Sequence, residues 1–226
     1  MSKSTRFSSN KARAAVARTR VKVCGITRLE DARFAIAQGA DALGFVFYPN
    51  SPRCVSLDQA AQLVREVPAF VSSVGLFVDQ SAHEVQRVLD VMPLTLLQFH
   101  GSESPEFCRS FQRPYIKALR ISDGKVMMSG LSEVLTVNDQ AARSSQALES
   151  ESIRAFQLEE VLANYTDAAG FLLDSYKAGV PGGTGKAFDW AKLPATLNDW
   201  PVILAGGLNP ENVSSAISDL APFAVD

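Results

Sequence analysis

Apolar residues fall in short runs along this chain. Each run closes at a polar or glycine-bearing loop, and stretches of helical spacing lie between them. Val21–Cys24 reads as a first strand, and Leu29–Gln38 as a helix stopped by Gly39. Ala42–Phe47 is a second strand, in which Leu43, Phe45 and Phe47 alternate with smaller residues. Ser56 is placed to cap a helix over Leu57–Val67, and Ser81 one over Ala82–Val91. Strands at Val71–Val78 and Leu94–Phe99 follow the same rhythm, and Ser104-Pro105 opens another helix with serine as cap and proline first.

After a fifth strand at Tyr115–Ile121 the rhythm breaks. The stretch from Gly124 to about Arg154 is serine-rich and weakly periodic, and reads as a partly disordered insertion. The alternation then resumes. A helix is expected over Leu158–Tyr165, a strand over Ala169–Asp174, a short helix over Phe188–Leu197 and a strand over Pro201–Ala205. Asn209-Pro210 starts a helix to Leu220, and Phe223–Val225 begins an eighth strand. Strict strand–helix alternation of this length predicts an α/β fold, a closed (β/α)8 TIM barrel. An open dinucleotide-binding sheet fits less well, because no G-x-G-x-x-G follows the first strand. The sequence reads as a basic extension over residues 1–20 and a barrel over 21–226 with the insertion at about 124–154; the final loop and helix after strand eight are expected to be lacking.

Composition narrows the function classes. With 46% hydrophobic and 20% charged residues, the 226-residue chain matches an ordinary soluble domain, and no apolar run reaches the ~18 residues of a membrane span. Three cysteines without a repeated spacing predict neither a disulfide framework nor a metal site, and a reducing, cytoplasmic compartment is the expectation. Residues 1–20 hold six basic side chains and no acid, so the remainder is acidic, with a net charge of −8, and is a poor nucleic-acid binder. That first stretch has the composition of a transit peptide; a disordered extension or a misassigned start is the plainer reading.

In a barrel the chemistry sits where strands end in loops at the carboxyl face. Cys24 ends strand one, with Lys22 on the same face about 6–7 Å away. An ammonium there favours the thiolate, which suits a base, although a cysteine on an apolar strand is more often inert packing. Asp174 ends the apolar run Phe171-Leu172-Leu173. It reads equally as a cap on the next loop or as a functional acid, the neutral carboxyl being favoured by an apolar rim. Arg53 lies in the loop after strand two and has the fork to hold a carboxylate. Gln98 and His100 end strand four, and His100, just before Gly101, reads as a ligand contact or as a satisfied turn histidine. Gly206 and Gly207, just before a helix, are placed to bind phosphate through backbone N–H groups. Gly182-Gly183-Thr184-Gly185-Lys186 lacks Walker A spacing; it reads as a loop over the substrate or as a plain flexible connection.

Together, Lys22-Val23-Cys24-Gly25-Ile26-Thr27, Leu43-Gly44-Phe45-Val46-Phe47, Ser51-Pro52-Arg53, Gln98-Phe99-His100-Gly101, Leu173-Asp174, Gly182-Gly183-Thr184-Gly185 and Ala205-Gly206-Gly207-Leu208-Asn209-Pro210 form an ordered set. In this the chain resembles the phosphoribosylanthranilate isomerases of tryptophan biosynthesis. The resemblance implies an aldose–ketose isomerase that performs an Amadori rearrangement on N-(5-phosphoribosyl)anthranilate without metal or organic cofactor. It further implies Asp174 as acid and Cys24 as base. Arg53, Gln98, His100, Gly183, Gly185, Gly206 and Gly207 become substrate contacts. The implied partner is a small phosphorylated substrate, with no nucleic acid and no membrane, on a monomer or homodimer. Cys54 departs from the aromatic residue usual after the arginine. Other phosphosugar enzymes of this fold, with paired aspartates on strand ends, fit the Cys24/Asp174 combination less well, and a ligand-binding barrel without full activity is the reading from a different class.

Overall fold

The computed structural model describes residues 18–122, 125–128, 154–156, 158–175, 197 and 200–226. Its strands are β1 (Arg20–Cys24), β2 (Ala42–Val46), β3 (Ser72–Phe77), β4 (Leu96–Phe99), β5 (Tyr115–Ser122), β6 (Lys125–Met128), β7 (Arg154–Phe156), β8 (Gly170–Ser175), β9 (Val202–Leu204) and β10 (Ala224–Val225). The helices are α1 (Leu29–Ala37), α2 (Leu57–Val64), α3 (Ala82–Val91), α4 (Pro105–Ser110), α5 (Leu158–Asn164) and α6 (Val213–Leu220).

Eight of the strands, β1 to β5 and β8 to β10, pair in parallel around a ring. β4 pairs with β5, β5 with β8, and β10 with both β9 and β1, so the barrel closes. β6 and β7 lie outside that ring. β6 turns back antiparallel on the end of β5, and β7 pairs antiparallel with β6. Both edges of the expected insertion are therefore strands, because β5 runs past the end of β4 and leaves ladder positions on that side for β6 to use. The interior of that insertion, the helix expected over 188–197 apart from Leu197, the 182–186 glycine run and residues 1–17 lie outside the described residues.

Alternation along each strand divides the core into two layers. Outward-facing Leu43, Phe45, Phe77, Leu97, Phe99, Phe171 and Leu173 pack beneath the helices with Ala32, Ala60, Leu63, Val85 and Val88. Each of the buried large side chains contributes ~1.5–3 kcal/mol. The inward set is Ile116, Ala118, Leu172, Ile203, Ala205 and Ala224, which fills the barrel. Local signals hold the helix starts. Ser56 Oγ accepts from Gln59 N, Ser104 Oγ accepts from Phe107 N, and Ser81 and Glu84 form a reciprocal capping box. One start differs from expectation: α6 begins at Val213, because Asn209 first forms a side-chain turn in which its Oδ1 accepts from Glu211 N and Asn212 N.

Candidate active site

The carboxyl ends of β1, β4, β5, β8 and β10 bring ionisable side chains to one mouth. On β1, Lys22 and Cys24 share the inward face. Lys22 Nζ is 2.8 Å from Oδ2 of Asp226, which follows β10, and the two side chains are 5% and 9% exposed. The ammonium also lies against the thiol: a methyl on Gly44 would meet Cys24 Sγ at 2.8 Å and Lys22 Nζ at 3.2 Å. Gly44 is in register with Cys24 on the neighbouring strand, so its lack of a side chain is what leaves room for both.

The charge balance here runs against the expectation of a thiolate. Burial pushes the Cys24 thiol up, the Asp226 carboxylate adds in the same direction, and Lys22 and Arg53 offset only part of this. Burial alone would pull the Lys22 ammonium down, yet Asp226 and Cys24 outweigh it and hold Lys22 above the ordinary lysine value. The largest cause for the thiol is its burial, and Asp226, paired with Lys22, adds to it. Cys24 is a half-buried thiol held above the ordinary cysteine value.

Across the mouth, Asp174 on β8 meets His100 just after β4. His100 Nε2 is 3.3 Å from Asp174 Oδ2, and the two side chains are about equally exposed, at 18% and 17%. His100 Nδ1 is 3.1 Å from Gln98 Nε2. Gln98 is fully buried, and its Oε1 has no partner among the described residues. β9 and β10 separate β8 from β1 in the ring, so Cys24 and Asp174 face the mouth from different sides.

Arg53 comes from the loop after β2, and its Nη1 donates to Cys24 O at 3.0 Å. It lies over Gly25, which has φ +83°; a methyl there would meet Arg53 Nη1 at 2.8 Å and Nε at 2.9 Å. Gly206 and Gly207 both take positive φ straight after β9. A side chain on Gly206 would run into the Asp174 carboxylate and Ser175. That glycine therefore admits Asp174 to the mouth, in addition to any part in binding anions. Among the described residues, neither glycine donates its N–H to a protein group. Gly183 and Gly185 lie outside the described residues.

The structure thus brings Cys24, Arg53, Gln98, His100, Asp174, Gly206 and Gly207 to one face. It adds two residues that the sequence reading did not assign: Asp226, the partner of Lys22, and Arg120, which is exposed on β5 in register with Asp174. An acid just past an apolar strand end marked Asp174, and the same signal was present at Asp226. No helix among the described residues is long and apolar enough to cross a membrane.

Comparison with known proteins points the same way. The sequence model of the family described as N-(5'phosphoribosyl)anthranilate (PRA) isomerase matches residues 21–163 and 132–226. The N-(5'-phosphoribosyl)anthranilate isomerase of Nitrosococcus oceani is 47% identical over 209 residues, covering 92% of this chain and 86% of that protein. The crystal structure of phosphoribosyl anthranilate isomerase from Thermotoga maritima superposes with a TM-score of 0.70 at 35% identity, covering 92% of this chain and 86% of the other. A phosphoribosyl anthranilate isomerase in complex with reduced 1-(o-carboxyphenylamino)-1-deoxyribulose 5-phosphate gives a TM-score of 0.63 at 33% identity, with the same coverage.

Proposed function

The chain belongs to the N-(5'-phosphoribosyl)anthranilate isomerase family, and we propose that Cys24 and Asp174 divide the proton transfers of its reaction. It is an isomerase of tryptophan biosynthesis, converting N-(5-phosphoribosyl)anthranilate to 1-(2-carboxyphenylamino)-1-deoxyribulose 5-phosphate. The reaction moves one hydrogen from C2′ to C1′ of the sugar while the furanose ring opens. An acid is needed at the ring oxygen, and a base is needed at C2′–H.

In this reading Asp174 protonates the ring oxygen, the C1′–O bond breaks, and the nitrogen lone pair forms the C1′ iminium. Cys24, as thiolate, then removes the C2′ proton. The electrons of that C–H bond neutralise the iminium and leave an enolamine, which takes a proton at C1′ and releases the one on the C2′ hydroxyl as it becomes the ketone. His100 stands beside Asp174 as the group with which it exchanges its proton. Arg53 holds the anthranilate carboxylate above Cys24, and the N–H groups of Gly206 and Gly207 face the phosphate.

The observation that carries this reading is the placement of Cys24 and Asp174 on different sides of one mouth, each with its own ionisable neighbour: Lys22–Asp226 for the thiol, His100 for the carboxyl. One group is needed neutral and the other ionised, and separate surroundings allow that. Steady-state kinetics of Cys24→Ala and Asp174→Asn test it. Each is expected to lose about 10²-fold or more in kcat, and near-wild-type turnover in either variant removes that residue from its role. In Arg53→Lys the charge stays but the fork is lost, so KM is expected to rise. An unchanged KM would leave the carboxylate without this anchor.

A further inference from the structure

A second buried ion pair lies outside the barrel wall, away from the mouth. Ile116 and Ala118 belong to the barrel interior, so Lys117 between them points into the helix layer. There Lys117 Nζ meets Glu103 Oε2 at 2.8 Å, with the two side chains 0% and 2% exposed. The pair is fully used. Lys117 Nζ also donates to Gly101 O at 2.6 Å, and the Glu103 carboxylate accepts Gly101 N at 3.0 Å and Asp79 N at 2.9 Å. Tyr165 donates its hydroxyl to Glu103 O at 2.8 Å. The Asp79 carboxylate in turn accepts from Ser102 N.

Gly101 is thus held at its N–H by the acid and at its carbonyl by the base of one buried pair. His100 immediately precedes it, and His100 N is itself fixed to Phe77 O at 2.9 Å. The backbone on both sides of the His100 side chain is pinned, and that side chain reaches Asp174. A buried pair of this kind is weak evidence for stability, since apolar residues of similar volume often serve as well. We infer that the Glu103–Lys117 pair is a positioning device for the His100–Asp174 couple, setting the height and direction of the imidazole against the carboxyl. The inference rests on the reading of Asp174 as the acid, and neither Glu103 nor Lys117 touches substrate.

The test is a double-mutant cycle on kcat. Glu103→Met and Lys117→Met are combined, so that no buried charge is left alone, and the combination is measured in the wild-type and His100→Ala backgrounds. The paired change is expected to lower kcat about tenfold, the scale of a misplaced reacting group, with KM within about twofold. In the His100→Ala background it is expected to cause less than about twofold further loss, because the part it positions is already gone. A merely structural role would produce the same loss in both backgrounds. Equal losses, or an unchanged kcat in a folded variant, overturn the inference. So does a His100→Ala variant with wild-type kcat.

Should the paired variant fail to fold, Asp79→Gly loosens the same Gly101–Ser102 peptide without stranding a charge, at a position whose φ of 50° suits glycine. A smaller loss that again vanishes with His100→Ala supports the device, and an additive loss or none overturns it. Asp174→Asn separates the two claims. Normal turnover in that variant removes the acid assignment, while the coupling of Glu103–Lys117 to His100 is judged by its own cycle.

Discussion

The two buried lysine–carboxylate pairs among the described residues have the same N–O distance, 2.8 Å, and different surroundings. Lys117–Glu103 is saturated: carbonyls fill the ammonium and backbone N–H groups fill the carboxylate. Lys22–Asp226 is not. Asp226 Oδ1 has no partner among the described residues, and the ammonium is shared with a thiol. A saturated pair braces a loop. A pair with spare capacity at the mouth of a barrel is reactive ground, where the proton balance of a neighbour can be set and a substrate donor received. The fold uses one chemistry for both purposes, and the difference lies in how many backbone groups complete each pair.

Breaking one partner of each pair sharpens that contrast. Lys117→Met leaves the buried Glu103 carboxyl without its counter-charge and is expected to lose about 3–5 kcal/mol of stability. Lys22→Met is expected to lose less, because the Asp226 side chain is 9% exposed against 2% for Glu103, so its stranded charge is less completely desolvated. Urea denaturation of both variants ranks them, and a larger loss in Lys22→Met would break the comparison.

The pair beside Cys24 should instead register in pH dependence. Since the thiol lies above its ordinary value, kcat/KM is expected to climb on the alkaline side of neutrality as the thiolate forms. Asp226→Asn removes a carboxylate that pushes the thiol up, so the limb moves to lower pH. Lys22→Met removes a cation that holds it down, so the limb moves to higher pH. The same limb in both variants would detach this pair from the thiol.

Smaller effects separate glycines by what lies above them. Gly39 and Gly206 both have positive φ, but a methyl on Gly39 meets nothing within 4 Å, whereas one on Gly206 meets Asp174. Alanine at either should destabilise by about 1–2 kcal/mol from backbone strain. Only Gly206→Ala should also lower kcat, and equal kinetics in the two would show that Asp174 is insensitive to that contact. A separate effect, confined to alkaline pH, lies away from the mouth. Burial pushes the Cys108 thiol up from 9.0 to about 12, so stability from its neutral form is whole below pH 9 and is lost between 9 and 12. Cys108→Ala should flatten that decline by about 1.4 kcal/mol per pH unit, as read by urea midpoints across the range.

What the sequence made legible was local or periodic. Strand alternation and the caps at Ser56, Ser81 and Ser104 depend on residues within a few positions, and each is found where the pattern places it. Cys24 and Asp174 could be picked out because a polar side chain at the end of an apolar strand is conspicuous in a barrel. The partners were not legible. Lys22 and Asp226 are 204 positions apart, and His100 reaches Asp174 past the intervening β5. The raised Cys24 thiol was not legible either, since its largest cause is burial in the folded barrel and its second is the distant Asp226. β6 and β7 were missed because β6 pairs with the part of β5 that runs past the end of β4, and β7 in turn with β6, a property of strand length in three dimensions.

The division of labour between Cys24 and Asp174 is tested most directly by substrate deuterated at C2′, compared with protiated substrate in the wild type, Cys24→Ala and Asp174→Asn. If Asp174 opens the ring and Cys24 removes the C2′ proton, impairing the base makes C–H cleavage limiting and impairing the acid makes ring opening limiting. The isotope effect on kcat is then expected to grow in Cys24→Ala and to fall toward unity in Asp174→Asn. The opposite pattern, or the same isotope effect in both variants, would contradict the assignment of base and acid.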